Sequence, residues 1–114
     1  MMKKIAFIGA GNMASSIVGG LVESGHSASN ICAADPYPES LERLQAIAPI
    51  TVCGSNAEAA AGADVIIMAV KPQVMAEACN SVADAVRANN ALVISIAAGI
   101  TIASIQSRFG QQAA

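Results

Sequence analysis

Charged and aromatic side chains are scarce in this sequence. Of its 114 residues only 12% are charged and 3% are aromatic, and the formal net charge at pH 7 is −2. Nucleic-acid binding needs clustered Lys and Arg, and aromatic rings where bases are stacked, so this composition argues against that class of function. The longest uninterrupted apolar run, Val65 to Val70, is far shorter than the roughly 20 residues that cross a bilayer, and we expect no membrane span.

Cysteine and histidine are also sparse. The three cysteines, Cys32, Cys53 and Cys79, show no C-x-x-C spacing and have no histidine nearby, since His26 is the one histidine of the chain. We therefore predict free, buried thiols in a reducing cytoplasm rather than a metal site or disulfides, and a loop position for His26. The start of the chain, MMKK before apolar residues, is also typical of a secretory signal, but glycines soon interrupt the apolar run and we do not expect export.

A glycine-rich turn stands near the N-terminus. Residues 4–14 read KIAFIGAGNMA, a strand-like run that leads directly into G-x-G-x-x-A. Gly9 allows a sharp turn, Gly11 lacks a Cβ and lets a pyrophosphate approach the backbone, and Ala14 lets the next helix pack closely on the strand. The first amides of that helix carry partial positive charge, and Asn12 adds a donor. This pattern predicts a dinucleotide-binding turn, the alternative being a plain strand-to-helix turn.

An acidic residue follows the second predicted strand, Ile31–Ala34. Asp35 comes after Gly11 at close to the spacing of about 20 residues that is typical of the carboxylate contacting the adenosine ribose. A carboxylate at that point repels a 2′-phosphate, which favours NAD over NADP. The alternative is an Asp that only forms the turn before Pro36.

Strand-like and helix-like segments alternate along the whole chain. Short apolar runs, typical of strands buried on both faces, occupy residues 4–8, 31–34, 50–53, 64–70 and 92–96. Helical spacing of apolar residues predicts helices from residue 13 to a cap at Gly25, from Pro38 to residue 48, after Asn56 as the N-cap, from Val74 to residue 90, and over 100–109. We interpret Gly19 and Gly20 as a face that packs closely on the sheet. This order predicts an α/β fold, a Rossmann-like doubly wound parallel sheet with helices on both faces and the strand order 3-2-1-4-5.

Two further segments fall where such sheets bind ligands, at the carboxyl ends of strands. Lys71 directly follows the fourth predicted strand, which makes it a candidate cofactor contact, the alternative being a solvated loop lysine. Residues 97–99 (AAG) follow the fifth strand. Their small side chains allow a flat ring to lie against the backbone.

Four segments resemble, in order, the N-terminal part of pyrroline-5-carboxylate reductase, the last enzyme of proline synthesis. They are residues 7–14 (FIGAGNMA), 19–21 (GGL), 69–73 (AVKPQ) and 95–100 (SIAAGI). Together they are distributed along nearly the whole chain, and the last two are far more specific than the glycine motif.

The resemblance implies which residues hold the cofactor. The pyrophosphate contacts are Ile8, Gly9, Ala10, Gly11, Asn12 and Met13, and Asp35 lies by the adenosine ribose. The other contacts are Asn56, Ala69, Val70, Lys71, Pro72, Ala97, Ala98 and Gly99, of which the segments around Lys71 and Ala98 lie toward the nicotinamide. The implied reaction passes a hydride from the nicotinamide to the carbon of a cyclic imine, giving L-proline. No residue of this chain is predicted to be catalytic, and Lys71 is expected to contact or position the cofactor.

Two features depart from the family. Many members prefer NADPH and carry small hydroxyl or basic residues where this chain has ADPY at 34–37, so both NADP and NAD stay open. The family also continues through a sixth strand and a helical C-terminal domain that builds a homo-oligomer and binds the imine's carboxylate. We therefore expect residues 1–114 to be the cofactor-binding domain of a cytoplasmic enzyme, truncated before that helical domain and inactive alone. The substrate, 1-pyrroline-5-carboxylate, is then a partner of the full-length enzyme only.

Two alternatives stay open. One is another reductase with the same N-terminal architecture, such as a β-hydroxyacid dehydrogenase or a deazaflavin-linked NADP oxidoreductase, against which residues 95–99 argue. The other belongs to a different class, a dinucleotide-binding module without catalytic activity.

Overall fold

The computed structural model describes residues 3–95. Strands and helices alternate along them: β1 Ile5–Ile8, α1 Asn12–Glu23, β2 Ile31–Ala34, α2 Pro38–Ile47, β3 Thr51–Val52, α3 Asn56–Ala60, β4 Val65–Met68, α4 Met75–Asn89 and β5 Leu92–Ser95. Short 3₁₀ turns, Ala28–Asn30 and Pro72–Val74, precede β2 and α4. The helix predicted over 100–109 lies outside the described residues.

The five strands form one parallel sheet in the order β3-β2-β1-β4-β5, which confirms the predicted fold. β1 is central, and its Ile5 pairs with Ile31 of β2 on one side and with Val65 of β4 on the other. The strand order therefore reverses at β1. In open α/β sheets this reversal opens a crevice at the carboxyl ends of the strands.

Two apolar layers cover the sheet, one on each face. Successive side chains of a strand point to opposite faces, so Ala6 and Ile8 of β1 belong to one layer, and Ile5 and Phe7 to the other. The first layer packs under α3 and α4, and the second packs under α1 and α2. Burial on both faces explains why β1, β2 and β4 are continuous apolar runs in the sequence. No helix within residues 3–95 combines the length and hydrophobicity needed to span a membrane.

Helix starts differ from the predictions at two places. Ser55, not Asn56, is the N-cap of α3, because the Ser55 hydroxyl accepts a hydrogen bond from the Glu58 amide at 3.1 Å. Ser and Asn are equally good caps and are neighbours here, so the sequence does not show which of the two precedes the helix. The fourth helix was predicted to begin at Val74, but Val74 lies in the preceding 3₁₀ turn and is 45% exposed, and α4 begins at Met75. The buried face of α4 is Met75, Ala78, Cys79, Val82 and Val86.

The glycines of α1 do not pack on the sheet as predicted. A Cβ on Gly19 would lie 3.7 Å from Ile47 of α2, and one on Gly20 would meet no atom of the described residues within 4 Å. Ala14 and Val18, both fully buried, form the face of α1 that packs inward. The prediction was wrong because glycine allows close packing but does not require it.

Gly25 ends α1 as predicted. Its φ is +101°, its N–H donates to the Val22 carbonyl at 3.0 Å, and the next N–H, of His26, donates to the Leu21 carbonyl at 2.9 Å. These two bonds are the Schellman pattern, which favours glycine at the left-handed position.

Candidate cofactor-binding site

The glycine-rich turn packs tightly against the ends of β2 and β4. Gly9 has a φ of +103°, and a Cβ there would lie 2.4 Å from the Ala69 carbonyl oxygen. The Gly9 N–H donates to the Ala34 carbonyl at 2.8 Å, and the Ala69 N–H donates to the Ile8 carbonyl at 2.8 Å. Position 9 therefore requires glycine for the fold itself, through both the clash and the left-handed backbone.

Gly11 stands in open space at the start of α1. It is the N-cap, with a φ of −79°, and its carbonyl accepts from the Ser15 N–H at 3.0 Å. A Cβ at this position would meet no described atom within 4 Å. Gly11 is thus not needed for packing among residues 3–95, and the open backbone leaves room for an anion at the helix N-terminus, where unpaired amides gather. Asn12 and Met13 form the first residues of that helix.

Asp35 connects the glycine-rich turn to the loop after β2. Its Oδ2 accepts from the Ala10 N–H at 2.8 Å, and its Oδ1 accepts from the Tyr37 N–H at 2.8 Å. The half-buried carboxylate is thereby held in one position beside the turn. Each carboxylate oxygen has a second lone pair, so acceptors for ribose hydroxyls remain. The Ala10 amide, predicted to contact the pyrophosphate, is already bonded to Asp35.

An open pocket of about 460 Å³ lies at this edge of the sheet, within the range of roughly 300 to 1,000 Å³ typical of small-ligand sites. Its lining residues are Gly9, Ala34, Asp35, Pro36, Gly54, Ser55, Asn56, Val70, Val74, Glu77, Ala78 and Ser81. The pocket brings together four predicted site residues that are far apart in the chain, Gly9, Asp35, Asn56 and Val70. Two carboxylates, Asp35 and Glu77, stand in the lining, and none of the lining residues is Lys or Arg.

Asn56 joins α3 to α4 in the wall of this pocket. Its amide Nδ2 donates to the Ser81 hydroxyl at 3.1 Å, and that hydroxyl donates to the Ala78 carbonyl at 2.6 Å. Ser81, Glu77 and Val74 were not predicted as site residues. Their spacing of three to four residues places them along one side of the helical path. The periodicity of apolar residues identifies only the buried side of α4.

The remaining predicted residues lie around the carboxyl end of β4. Ala69 and Val70 are half-buried, and Lys71 is exposed. The Lys71 carbonyl accepts from the Val74 N–H at 3.0 Å, which closes the 3₁₀ turn that Pro72 opens. Lys71 is not among the pocket-lining residues. Ala97, Ala98 and Gly99 lie outside the described residues.

The three cysteines are free thiols, but the prediction that all of them are buried was wrong for Cys53. Cys32 and Cys79 are buried and Cys53 is half-buried, and within residues 3–95 no group of His, Cys, Asp and Glu side chains could hold a metal ion. Burial raises the pKa of Cys32 from 9.0 to about 11. Its thiol donates to the Ala59 carbonyl at 3.1 Å.

The chain is similar to the N-terminal part of proteins named pyrroline-5-carboxylate reductase, which confirms the resemblance. The one from Pseudomonas aeruginosa is 47% identical over 95% of this chain and 39% of its own length. The one from Escherichia coli is 37% identical over 96% of this chain and 41% of its own length. The chain thus spans about two fifths of the curated relatives that it matches.

Solved structures agree with these relatives. A pyrroline-5-carboxylate reductase from Coxiella burnetii matches 97% of this chain and 41% of its own chain, with a TM-score of 0.90 and 32% identity. A pyrroline carboxylate reductase from Plasmodium falciparum with NADP bound matches 95% of this chain and 38% of its own, with a TM-score of 0.79 and 25% identity. Both likenesses support a nicotinamide dinucleotide-binding oxidoreductase fold. A family model also matches residues 4–99, and the chain therefore belongs to the family described as NADP oxidoreductase, coenzyme F420-dependent.

Proposed function

We propose that residues 1–114 form the cofactor-binding domain of a reductase that converts 1-pyrroline-5-carboxylate to L-proline with a reduced nicotinamide dinucleotide. The observation that carries the proposal is the 47% identity to such a reductase across 95% of the chain. The glycine-rich turn, Asp35 and the pocket where the strand order reverses support it independently. Substrate binding and homo-oligomer formation would belong to residues beyond this domain.

The chain's own groups would bind and orient the cofactor. The open backbone at Gly11 and the first amides of α1 would hold the pyrophosphate, because unpaired N–H groups and the helix dipole both favour an anion there. Asp35 would accept hydrogen bonds from the adenosine ribose. Lys71 and its neighbours Ala69, Val70 and Pro72, with Ala97–Gly99, would lie toward the nicotinamide. The bound dinucleotide supplies the hydride, and the protein supplies its orientation.

We further propose that this domain prefers NADH to NADPH. Asp35 and Glu77 place two carboxylates in the pocket lining, and no cation in that lining offsets them. Arg43, the nearest base in sequence to Asp35, is exposed on α2 and donates to the Ser40 hydroxyl at 3.4 Å. A 2′-phosphate beside Asp35 would therefore meet repulsion without a partner.

A chimera tests the proposed reaction. Residues 1–114 replace the corresponding N-terminal segment of the Pseudomonas aeruginosa relative, and proline formation from 1-pyrroline-5-carboxylate is measured with each reduced cofactor. We expect reduction, faster with NADH, and its loss in a Gly11→Val version of the chimera. A chimera that folds and binds dinucleotide but forms no proline would contradict the assignment of the reaction and favour a binding module without that activity.

A further inference from the structure

We propose that Glu77 of α4 recognises the adenine base of the dinucleotide by accepting a hydrogen bond from its exocyclic amino group. The proposal rests on the proposed function, since it needs a dinucleotide in the pocket. It adds a specificity residue that the glycine-rich motif and Asp35 do not provide.

The position of the adenine base follows from where the lining residues would place the other parts of the dinucleotide. Gly9 marks the phosphate end, and Asp35 marks the ribose. The rest of the pocket is lined by Pro36, by residues 54–56 and by residues of α4. Once the phosphates and the ribose are placed, the base is the part of the adenosine half that remains to fill this space.

The α4 side of the pocket is suited to a flat heterocycle with a polar edge. Val74, Glu77, Ala78 and Ser81 line it, and their spacing places them along one side of the helical path. Val74 and Ala78 offer apolar contact for the face of a ring. Glu77 and Ser81 offer polar groups for its edge.

Of these two polar groups, Glu77 has the greater capacity, because the Ser81 hydroxyl has already used its proton and one of its two lone pairs. The Ser81 hydroxyl donates to the Ala78 carbonyl at 2.6 Å and accepts from the Asn56 amide at 3.1 Å. The Glu77 side chain makes no hydrogen bond or ion pair with any residue of the range 3–95. An ionised carboxylate only accepts hydrogen bonds, and adenine presents an amino donor where hypoxanthine presents a carbonyl oxygen. Glu77 would therefore attract the amino group of adenine and repel the carbonyl oxygen that hypoxanthine has at the same position.

The test compares NADH with reduced nicotinamide hypoxanthine dinucleotide by calorimetric titration of the 114-residue chain. The wild-type protein should bind NADH about tenfold more tightly, the scale of one hydrogen bond to a charged group. In Glu77→Gln the amide can accept from adenine or donate to the hypoxanthine carbonyl. The preference should then fall to within about twofold.

Glu42→Gln is the matched control, because Glu42 is an exposed glutamate of α2 that does not line the pocket. It should keep the full preference for NADH. A Glu77→Gln protein that binds NADH and still discriminates like the wild type would overturn the assignment of Glu77 and leave the proposed function intact. A wild-type chain that binds neither dinucleotide would overturn both.

Discussion

Gly9 and Gly11 are two residues apart, yet the structure gives them different roles. Gly9→Ala forces a left-handed backbone on a residue with a Cβ and brings that Cβ to 2.4 Å from the Ala69 carbonyl oxygen. We expect the free energy of unfolding to fall by about 3 kcal/mol. Gly11→Ala should cost only about 0.5 to 1 kcal/mol, because alanine is a poor N-cap but fits the φ of the site.

Gly11→Ala, which should cost little stability, should instead weaken dinucleotide binding. The Cβ of Gly11→Ala would stand where the pyrophosphate approaches, and NADH affinity should fall about tenfold or more. Urea unfolding and calorimetric titration of both variants measure the two effects. A stable Gly11→Ala protein with wild-type affinity would contradict the placement of the pyrophosphate.

The buried thiol of Cys32 makes stability depend on pH in the alkaline range. Burial raises its pKa to about 11 in the folded protein from an ordinary value of 9.0, so the unfolded chain loses this proton first. The stabilisation that the protonated Cys32 thiol contributes is fully present below pH 9 and is lost as the pH rises toward 11. The free energy of unfolding should fall by on the order of 2 kcal/mol over this range. Urea unfolding between pH 8 and pH 11 should show this decline in the wild type.

Cys32→Ala is the reference for that measurement. Every other titrating group is shared by the two proteins, so the difference between their unfolding free energies isolates the thiol. Parallel pH profiles for the two proteins would show that Cys32 does not carry the effect.

At the scale of elements, replacement of one glycine inside α1 and of one just past its end should change stability in opposite directions. Gly20 is exposed inside the helix, and a Cβ there meets no atom of the described residues within 4 Å. Gly20→Ala should therefore stabilise the protein by about 0.5 to 1 kcal/mol, since alanine loses less backbone entropy. Gly25→Ala should destabilise it by about 1 to 2 kcal/mol, because Gly25 has a φ of +101°, which a residue with a Cβ rarely adopts.

Thermal unfolding of both single variants checks this pair. A rise of the melting temperature for Gly20→Ala and a fall for Gly25→Ala are expected. Stabilisation by both substitutions would mean that the cap geometry of α1 contributes nothing.

The sequence was sufficient for elements that depend on local chemistry. β1, β2 and β4 are apolar runs because both of their faces are buried, and Gly25 and Pro38 mark helix ends by backbone constraint alone. The choice of Ser55 over Asn56 as cap could not be predicted, since the two residues are nearly equivalent there.

The site was only partly predictable because it is assembled from distant segments. Gly9 and Asp35 carry recognisable spacing, but the bond from the Ala10 amide to Asp35 joins residues 25 positions apart. The contact between Asn56 and Ser81 likewise joins two helices. Glu77 has no motif of its own and becomes a candidate only once α4 is seen to form a pocket wall.

At the scale of the whole molecule, the parallel sheet reverses its strand order at β1 and places the pocket at that edge. The two carboxylates of the lining give this edge a negative character, in a chain whose formal net charge is already −2. In the proposed function, attraction of the phosphates would therefore depend on the unpaired amides at the start of α1 rather than on cationic side chains.

The proposed function requires that this domain binds a nicotinamide dinucleotide with Asp35 at the adenosine ribose. Calorimetric titration of the chain with NADH and then NADPH, repeated for Asp35→Asn, tests it most directly. Asn removes the charge and keeps an acceptor for the Ala10 amide, at the loss of the acceptor for the Tyr37 amide. Asp84→Asn is a control in an exposed ion pair. We expect tighter binding of NADH by the wild type and a shift of about fivefold to tenfold toward NADPH in Asp35→Asn. Tighter binding of NADPH by the wild type, or no binding of either cofactor, would contradict the account.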